Sequence, residues 1–381
     1  MSAAATATSA PLDPARLTGG RRGIATVLWL AFAGNAAVVV WLWLHGGGVT
    51  AVHGTGDLLT SVGRVTGLVG TYLALVQLLL LARIPWLERL VGFDRLTVWH
   101  RRNGKTCLLL LLVHTVLITI GYALVDGISV GSETTRLLDS YPGIVTATIG
   151  TAILVVVVIS SLIIVRRRLP YEGWYALHLA TYAGIALAYA HQLPTGNEFS
   201  ANHSQRDYWI ALYVATLVLL GAYRVARPAL RGFRHRLRVE SVSVEGPGVV
   251  SVRIAGRRLD RLGARAGQFL LWRFLSPGRW WQAHPFSLSA APDGRTLRIT
   301  VKDVGSFTHG LAALKPGTRV FAEGPFGTFA AASRRRPRVA LIAGGIGITP
   351  LRALYEELEG GPGDVALIYR AIRDEDLVFR D

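Results

Sequence analysis

The chain has 381 residues, of which 51% are hydrophobic and only 17% are charged. Soluble domains carry about 25% charged residues, and several apolar runs here exceed the ~18 residues that indicate a transmembrane helix. These features exclude a wholly soluble protein and a disordered chain. The net charge of +17 indicates arginines retained on the cytoplasmic side of a membrane and not a nucleic-acid-binding protein, because the arginine clusters lie beside the apolar runs.

The chain begins with an Ala/Thr/Ser-rich stretch, residues 1–20, that is predicted to be disordered. Six apolar segments follow, each close to the ~20 residues that cross the hydrocarbon layer of a membrane. The six predicted spans are residues 24–44, 58–81, 106–125, 143–165, 174–193 and 208–226. Arginine and lysine are concentrated before the first span, between the second and third, after the fourth and after the sixth. The positive-inside rule therefore predicts a multi-pass protein of the cell membrane with both termini in the cytoplasm.

Four histidines lie in or at the ends of two spans: His100 and His114 on the third, His178 and His191 on the fifth. Each pair is separated by about 20 Å along its helix, and both spans run in the same direction, so His100 matches His178 in depth and His114 matches His191. Two facing imidazole pairs can ligate two stacked haems. The alternative is that these rings only form hydrogen bonds between helices. His178 and His191 do not share a helix face, so ligation requires a bend, for which Pro194 provides a cause.

The second span carries two further features. Gly63, Gly67 and Gly70 form a stripe that allows a neighbouring helix to approach closely, either beside a haem or in plain helix packing. Arg64 lies at the outer end of the same span. It either neutralises a haem propionate or extends its charge to the membrane surface. The single cysteine, Cys107, cannot build a disulfide framework, a zinc site or an iron–sulfur cluster, so any redox chemistry needs another cofactor.

The remainder of the chain has the pattern of a cytoplasmic α/β region. Short strands bounded by Gly and Pro are predicted at residues 239–244, 249–254 and 297–301. A strand at 339–343, a glycine turn, a helix at 350–359 and a strand at 365–369 then form a βαβ-like unit.

Two neighbouring motifs in this region suit a flavin. On an extended strand, Phe286 and Ser287 of His284-Pro285-Phe286-Ser287 offer a flat apolar face and a hydroxyl. Downstream lie a cation and a turn with backbone donors, which suit a pyrophosphate. These residues are Lys302, Gly305, Ser306, Phe307 and Thr308.

A third motif joins the predicted strand at 339–343 to its helix. Glycines at such a junction let the backbone meet a nucleotide phosphate. The residues are Gly344, Gly345, Gly347, Thr349 and Pro350. The turn at 323–327 is expected to line the same cleft or to be structural only. Arg370 and Arg373 either hold a 2′-phosphate or are ordinary surface arginines, so the choice between NADPH and NADH stays open.

With these motifs the whole chain resembles the NADPH oxidase and ferric reductase superfamily. The resemblance is carried by the two histidine pairs, by HPFSLSAAP (284–292), GSFT (305–308), EGPFG (323–327) and AGGIGITP (343–350). It implies a six-helix transmembrane di-haem domain at 21–230, an antiparallel β-barrel FAD domain at 233–335 and an incomplete Rossmann-like NADP domain at 336–381. The chain lacks the family's later Cys-Gly-Pro segment, which predicts a fragment or a truncated form.

The resemblance also implies residue roles. His100 and His178 would ligate the inner haem, His114 and His191 the outer haem, and Arg64 would match the family's arginine on the second span. The flavin contacts would include His284, Pro285, Phe286, Ser287, Lys302 and Thr308, and the nucleotide contacts Gly344, Gly345, Gly347, Thr349 and Pro350. Animal-type oxidases carry a further histidine where this chain has Ile118, which weakens the expectation of oxygen as the acceptor.

The function expected on this basis is transmembrane electron transfer from cytoplasmic NADPH, or NADH, through FAD and two b-type haems to an external one-electron acceptor. Oxygen, giving superoxide, and a ferric chelate are both open, and no protein acid or base is required. One alternative is a haem-binding relay subunit that exchanges electrons with a quinone or a partner protein. Another is a proton or ion channel built on the same bundle, which the scarcity of charges within the spans disfavours.

Overall fold

The computed structural model describes residues 14–196, 199 and 203–379. The chain divides into two compact units, Met1–Leu220 and Gly221–Asp381. Residues 1–13 of the predicted disordered stretch lie outside the described residues. The first helix begins at Pro14, inside that stretch, where a proline suits the first turn of a helix.

The first unit is helical. Its helices are α1 (Pro14–Trp43), α2 (Thr55–Leu80), α3 (Pro85–Val91), α4 (Phe93–Asp126), α5 (Val130–Ser140), α6 (Ile144–Ser160), α7 (Ile163–Arg166), α8 (Tyr171–Tyr189), α9 (Gln192–Thr195) and α10 (His203–Leu220). A π-helical turn, Leu44–Gly48, follows α1. Each of the six predicted spans therefore falls on a long helix.

Not all of these helices have the length and apolar composition of a membrane span. Within the described residues, four helical stretches have both: Thr26–Gly48, Thr55–Leu80, Arg95–Asp126 and His203–His235. A fifth would be α5 with α6, two helices bent by 110°. Helix α8 carries Glu172, four tyrosines and His178, which lower its apolar content. Four to five spans are thus supported, and the count of six stays a prediction.

Close helix contacts in this unit rest on glycine. A methyl group added at Gly70 of α2 would lie 3.0 Å from Leu111 Cδ2 of α4, and one at Gly63 would lie 3.0 Å from Ile118 Cγ1. Between α6 and α8, a methyl group added at Gly150 of α6 would lie 2.8 Å from the backbone nitrogen of Ala188. The predicted glycine stripe on the second span is confirmed as the surface on which α4 packs.

The second unit combines two antiparallel sheets with a βαβ unit. Its strands are β1 (Arg238–Gly246), β2 (Val249–Ala255), β3 (Phe269–Phe274), β4 (His284–Ser287), β5 (Thr296–Lys302), β6 (Val320–Phe326), β7 (Val339–Gly344) and β8 (Val365–Arg370). Its helices are a π-helical turn Gly221–Ala226, α11 (Arg227–His235), α12 (Ser306–His309), α13 (Ile348–Glu357) and the 3₁₀ turns Leu259–Leu262, Ala331–Ser333, Gly345–Gly347 and Asp374–Asp376.

The strand order is β1-β2-β5 in one sheet and β4-β3-β6 in the other. Single bridges join the two sheets at Arg238–Arg319 and Leu288–Ile299. Fully buried side chains, among them Trp272 and Phe274, fill the space between them. This arrangement confirms the predicted antiparallel strands, while closure into a barrel stays a prediction. Strands β7 and β8 pair in parallel. The helix α13 connects them, as in a βαβ unit.

Candidate functional site

The four membrane histidines lie on two helical segments. Helix α4 is continuous from Phe93 to Asp126 and carries both His100 and His114. His178 lies on α8, whereas His191 lies in the junction between the end of α8 at Tyr189 and the start of α9 at Gln192. Ala190 and His191, between the two segments, both keep right-handed helical backbone angles, so a bend at this place stays a prediction.

The structure brings these rings together in two pairs. The ring centres of His100 and His178 are 6.0 Å apart, and those of His114 and His191 are 6.5 Å apart. All four residues are partly buried. In the described part of the chain, no cluster of three or more His, Cys, Asp and Glu side chains could hold a metal ion. A metal at either pair would therefore have two protein ligands.

These separations fit a metal held between two imidazoles. A metal–imidazole bond measures about 2.0–2.1 Å, and a ring nitrogen lies about 1 Å from the centre of its ring, so two opposed ligands have ring centres about 6 Å apart. A haem iron would meet this requirement, because it needs few ligands from the protein. His100 with His178, and His114 with His191, would each hold one haem.

The inner pair, His100 and His178, has its tautomers fixed by neighbouring groups. His100 Nδ1 lies 3.2 Å from the carbonyl oxygen of Gln77, which can only accept. His178 Nδ1 lies 3.4 Å from Ser161 Oγ. Since Ser161 donates its one proton to Val157 O at 2.8 Å, it accepts from His178. Both Nδ1 atoms are therefore protonated, and the ligating lone pair is on Nε2.

Two more side chains support the inner pair, and neither was singled out from the sequence. Trp174 stacks on His178 with ring centres 5.0 Å apart and donates to Ser161 Oγ at 3.3 Å. Gln77 donates to His100 O at 2.9 Å and accepts from Asn103 at 2.9 Å. The sequence signal that could have identified Gln77 is its position inside an apolar span, because a polar amide in a membrane helix needs partners.

The outer pair, His114 and His191, is held by the backbone. His114 Nδ1 donates to Gly63 O at 2.8 Å, and His191 Nδ1 donates to Ala188 O at 2.5 Å. A methyl group at Gly67 would lie 2.5 Å from His114 Nδ1, and one at Gly143 would lie 2.7 Å from His191 Cα. Only glycine permits the observed approach of the His114 ring to residue 67 and of the His191 backbone to residue 143.

Arg64 lies one helical position beyond Gly63 and is partly buried. Its guanidinium donates to the carbonyl oxygen of Gly46 at 3.0 Å. This contact ties α2 to the turn after α1, and it places a positive charge in the third turn of α2. Both expected roles for Arg64, contact with a haem propionate and orientation toward the membrane surface, stay predictions.

The predicted flavin residues lie in the second unit around β4. His284 stacks on the buried Phe307 with ring centres 3.8 Å apart, and Phe286 lies 6.1 Å from the same ring. Trp272 donates to Phe286 O at 3.0 Å, which fixes the strand. Pro285 is exposed, and Phe286 and Ser287 are partly buried. His284 and Phe286 thus lie partly buried on the edge strand β4, with Phe307 buried against them.

The turn expected to bind a pyrophosphate is organised by Thr308. Its hydroxyl accepts from the backbone N–H groups of Val304 and Gly305 at 2.9 and 3.0 Å. These two donors are therefore used within the turn, and Gly305 and Ser306 are exposed. Asp303 contacts His309 at 2.6 Å, and this hydrogen bond lowers the pKa of the Asp303 carboxyl.

The glycine turn opens onto a cavity of about 320 Å³. Gly344, Gly345 and Arg370 line it at the carboxyl ends of β7 and β8, the edge at which parallel sheets bind ligands. Lys302 also lines it and forms an ion pair with Asp376 at 3.2 Å. Gly347 ends the 3₁₀ turn that precedes α13. Thr349 and Pro350 lie in the first turn of α13, and Thr349 is buried. Arg373 is paired with Glu375 at 3.3 Å and does not line this cavity.

Two families match consecutive parts of the chain. The family described as ferric reductase like transmembrane component matches residues 66–189, and an FAD-binding domain family matches residues 235–330. The resemblance to the NADPH oxidase and ferric reductase superfamily is confirmed. The ferric-reductase-like match contains His100, His114 and His178 and ends just before His191. The FAD-domain match contains β4 and the turn at Thr308, whereas the glycine turn at Gly344 lies beyond it.

Individual relatives cover the chain unequally. A ferric/cupric reductase transmembrane component of Candida albicans is 24% identical over 293 residues, which are 74% of this chain and 36% of that protein. An electron transfer subunit of a probable dihydroorotate dehydrogenase B of Pyrococcus furiosus is 42% identical over 140 residues, 36% of this chain and 51% of that one. The chain thus spans a little over a third of the length of its fungal relative.

Solved structures also match. The FAD/NAD-binding domain of a nitric oxide dioxygenase from Vibrio cholerae is 25% identical and covers 38% of this chain and 66% of that one, with a TM-score of 0.30. A score this low supports no conclusion about the fold. The assignment of a ferric-reductase-like membrane domain followed by an FAD-binding domain rests on the two family matches.

Proposed function

We propose that the chain is a membrane oxidoreductase that carries electrons from a reduced nicotinamide nucleotide, through FAD and two b-type haems, to a one-electron acceptor across the membrane. The observation that carries this proposal is the pair of histidine separations, 6.0 and 6.5 Å, at two places along one continuous helix. The two family matches supply the second support, because a ferric-reductase-like domain precedes an FAD-binding domain.

In this function the protein binds and orients. When bound, FAD would accept a hydride and the haem irons would carry single electrons. The Nδ1 contacts with Gln77, Gly63, Ala188 and Ser161 keep Nε2 of each histidine available as a ligand. Apolar helices exclude water around the rings. No acid or base from the protein is needed for the electron steps.

In the second unit, the partly buried Phe286, backed by the buried Phe307, supports the flavin ring, and Ser287 lies beside Phe286. The cavity edge at Gly344 and Gly345 receives the nucleotide phosphates, with Lys302 and Arg370 as the nearby cations. Lys302 must exchange its ion pair with Asp376 for a phosphate to use its charge. Either NADPH or NADH is compatible with this site.

The proposal requires α8 to cross the membrane as well, since His178 and His191 belong to pairs at opposite depths. Six crossings and arginine-rich loops between them then place both termini in the cytoplasm. The lower apolar content of α8 is consistent with contacts to other helices, because His178 on α8 faces a partner ring and not lipid.

A ferric chelate is the acceptor that two observations favour. The ferric/cupric reductase component of Candida albicans is similar over most of this chain. At the outer pair, Ile118 packs against Gly63, where oxidases of this superfamily carry another histidine. Oxygen, with superoxide as product, is the second candidate for the acceptor.

The test is a reduced-minus-oxidised absorbance spectrum of the purified chain with haem quantitation, repeated for His→Ala variants at the four positions. We expect two low-spin b-type haems in the parent and one after any single substitution. Removal of either His100 or His178 should leave the haem that His114 and His191 hold. His45→Ala is the control, because its ring contacts only Trp41 within α1 and the following turn. A colourless parent under ample haem supply would refute the proposal.

The acceptor and the relay alternative are tested with NADPH and the reconstituted protein. Reduction of a ferric chelate without dismutase-sensitive reduction of cytochrome c supports a ferric reductase. Dismutase-sensitive reduction supports an oxidase. Slow oxidation of NADPH that an added quinone accelerates would instead identify a relay subunit with a separate electron partner.

A further inference from the structure

The helical stretch at the junction between the two units is longer than a membrane requires. His203–His235 comprises 33 residues, about 50 Å at 1.5 Å per residue, whereas the hydrocarbon layer is about 30 Å thick. The last turns of this stretch therefore lie beyond the hydrocarbon layer, at the level of lipid headgroups. These turns are α11, Arg227–His235.

Helix α11 has two different sides. One side faces its own unit: His235 is buried, a side chain at Gly232 would collide with the ring of Phe321 on β6, and Arg231 donates to Gly324 O. At 100° per residue, the opposite side carries Phe233, Leu230, Arg234 and Arg227 in an arc of about 120°. We refer to these four residues as the exposed face of α11.

The exposed face combines large apolar side chains with positive charge. Leu230 is 68% exposed and Phe233 is 76% exposed. Arg234 is exposed and Arg227 is partly exposed. Residues 221–238 contain no aspartate or glutamate. A helix with apolar residues flanked by arginines is the pattern of helices that lie in the interface of anionic membranes.

We propose that the exposed face of α11 binds anionic phospholipid headgroups, with Leu230 and Phe233 at the acyl boundary and Arg227 and Arg234 on the phosphates. The occupant follows from the charge of the face and from the position of α11 directly after a membrane span. Because the other side of α11 packs on β6, the proposed contact uses only the side of α11 that faces away from its own unit. The proposal does not depend on haem or flavin.

The test measures the access of a water-soluble maleimide to a single cysteine, Leu230→Cys, in the full chain. The native Cys107 is buried, so the introduced thiol reacts alone. The protein is placed in nanodiscs of phosphatidylcholine, with or without phosphatidylglycerol. We expect slow modification with phosphatidylglycerol and fast modification in its absence or at high salt. Val244→Cys, at a strand position that is 78% exposed, is the control and should react equally in both lipids.

A second variant tests the arginines. Leu230→Cys combined with Arg227→Gln and Arg234→Gln should regain fast modification in anionic discs, by up to roughly 25-fold, because each cation near an anionic surface strengthens attachment about fivefold. Arg335→Gln with Arg336→Gln is the charge-matched control and should change nothing. Equal protection in both lipids, unaffected by the arginine changes, would show that protein covers this face. Fast modification in every disc would show that nothing covers it, and either result overturns the proposal.

Discussion

The inner and outer histidine pairs have nearly the same ring separation but are held in different ways. The inner pair depends on side chains, since Ser161 accepts from His178, Trp174 stacks on it and Gln77 connects to His100. The outer pair depends on backbone carbonyls and on glycines that permit close approach. Changes at glycine should therefore abolish the outer site, whereas changes at supporting side chains should weaken the inner site by degrees.

The largest effect is expected for Gly143→Ala. Gly143 has a φ of 82°, and a methyl group there would lie 2.7 Å from His191 Cα. Backbone strain of about 1–3 kcal/mol then adds to a contact with backbone atoms that cannot rotate away. We expect loss of the outer haem, so that haem content falls by half with the inner haem retained.

Gly127→Ala is the control for Gly143→Ala, because it introduces backbone strain without a new close contact. Gly127 has a φ of 63°, but a methyl group there meets nothing within 4 Å. It should lower the melting temperature while both haems remain. If Gly143→Ala bound two haems as tightly as the parent, the close approach would not be what positions His191.

The next effect is expected for Gly67→Ala, because the added methyl group would lie 2.5 Å from His114 Nδ1. Overpacking of this kind costs about 1–3 kcal/mol, although alanine favours a helix by about 1 kcal/mol over glycine. We expect the ring of His114 to shift and the outer haem to bind weakly, as measured by haem quantitation.

Gly34→Ala is the matched control for this variant. It lies within a membrane helix, and a methyl group there meets nothing within 4 Å. It should keep full haem content and slightly raise stability. Full haem content in Gly67→Ala with an unchanged spectrum would contradict the role assigned to Gly67.

The sequence predicts the outline of this site but not its support. Histidines in an apolar run are conspicuous, and nearly equal spacing on two spans that run in the same direction predicts that they face each other. A bend near His191 caused by Pro194 stays a prediction, because Ala190 and His191 keep helical backbone angles. Ser161 and Gln77 were not predicted, because their roles depend on which helix lies opposite, and a serine at the end of an apolar segment has no local signal.

In the second unit too, the main elements could be predicted from the sequence, whereas their local hydrogen bonds could not. The strands and the glycine turn follow from alternation and from the glycines themselves. The turn at Gly305 was expected to present donors to a pyrophosphate, yet two of its N–H groups are used by Thr308. A local hydrogen bond of this kind competes with ligand binding and cannot be read from residue type alone. Composition alone does not give the number of membrane spans, since polar residues such as Glu172 and His178 lower the apolar content of α8.

A moderate effect is expected for Ser161→Ala. It removes the acceptor for His178 Nδ1 and for Trp174 Nε1. Loss of a group that orients a metal-binding histidine typically costs about 10–100-fold in affinity. We expect the inner haem to dissociate more readily, measured by haem transfer to an acceptor protein, while the outer haem is retained.

Ser160→Ala is the control for Ser161→Ala. Ser160 is buried and donates to the same carbonyl, Val157 O, at 2.8 Å. It should affect stability alone. Equal haem loss in both variants would show that the serines stabilise α6 and do not act through His178.

The smallest effect is expected for Gln77→Leu. The amide contacts to His100 O and Asn103 are lost, but His100 Nδ1 keeps its backbone acceptor and Asn103 keeps its bond to Leu73 O at 2.8 Å. We expect a loss of about 1 kcal/mol in stability, with two haems retained and a small change in the low-spin electron paramagnetic resonance signal of the inner haem. Gln205→Leu, which removes a buried bond to Leu42 O, should lower stability similarly without changing that signal. A signal that moves equally in both variants would show that Gln77 acts on the bundle as a whole, and the inner pair would then resemble the outer pair in depending on the backbone.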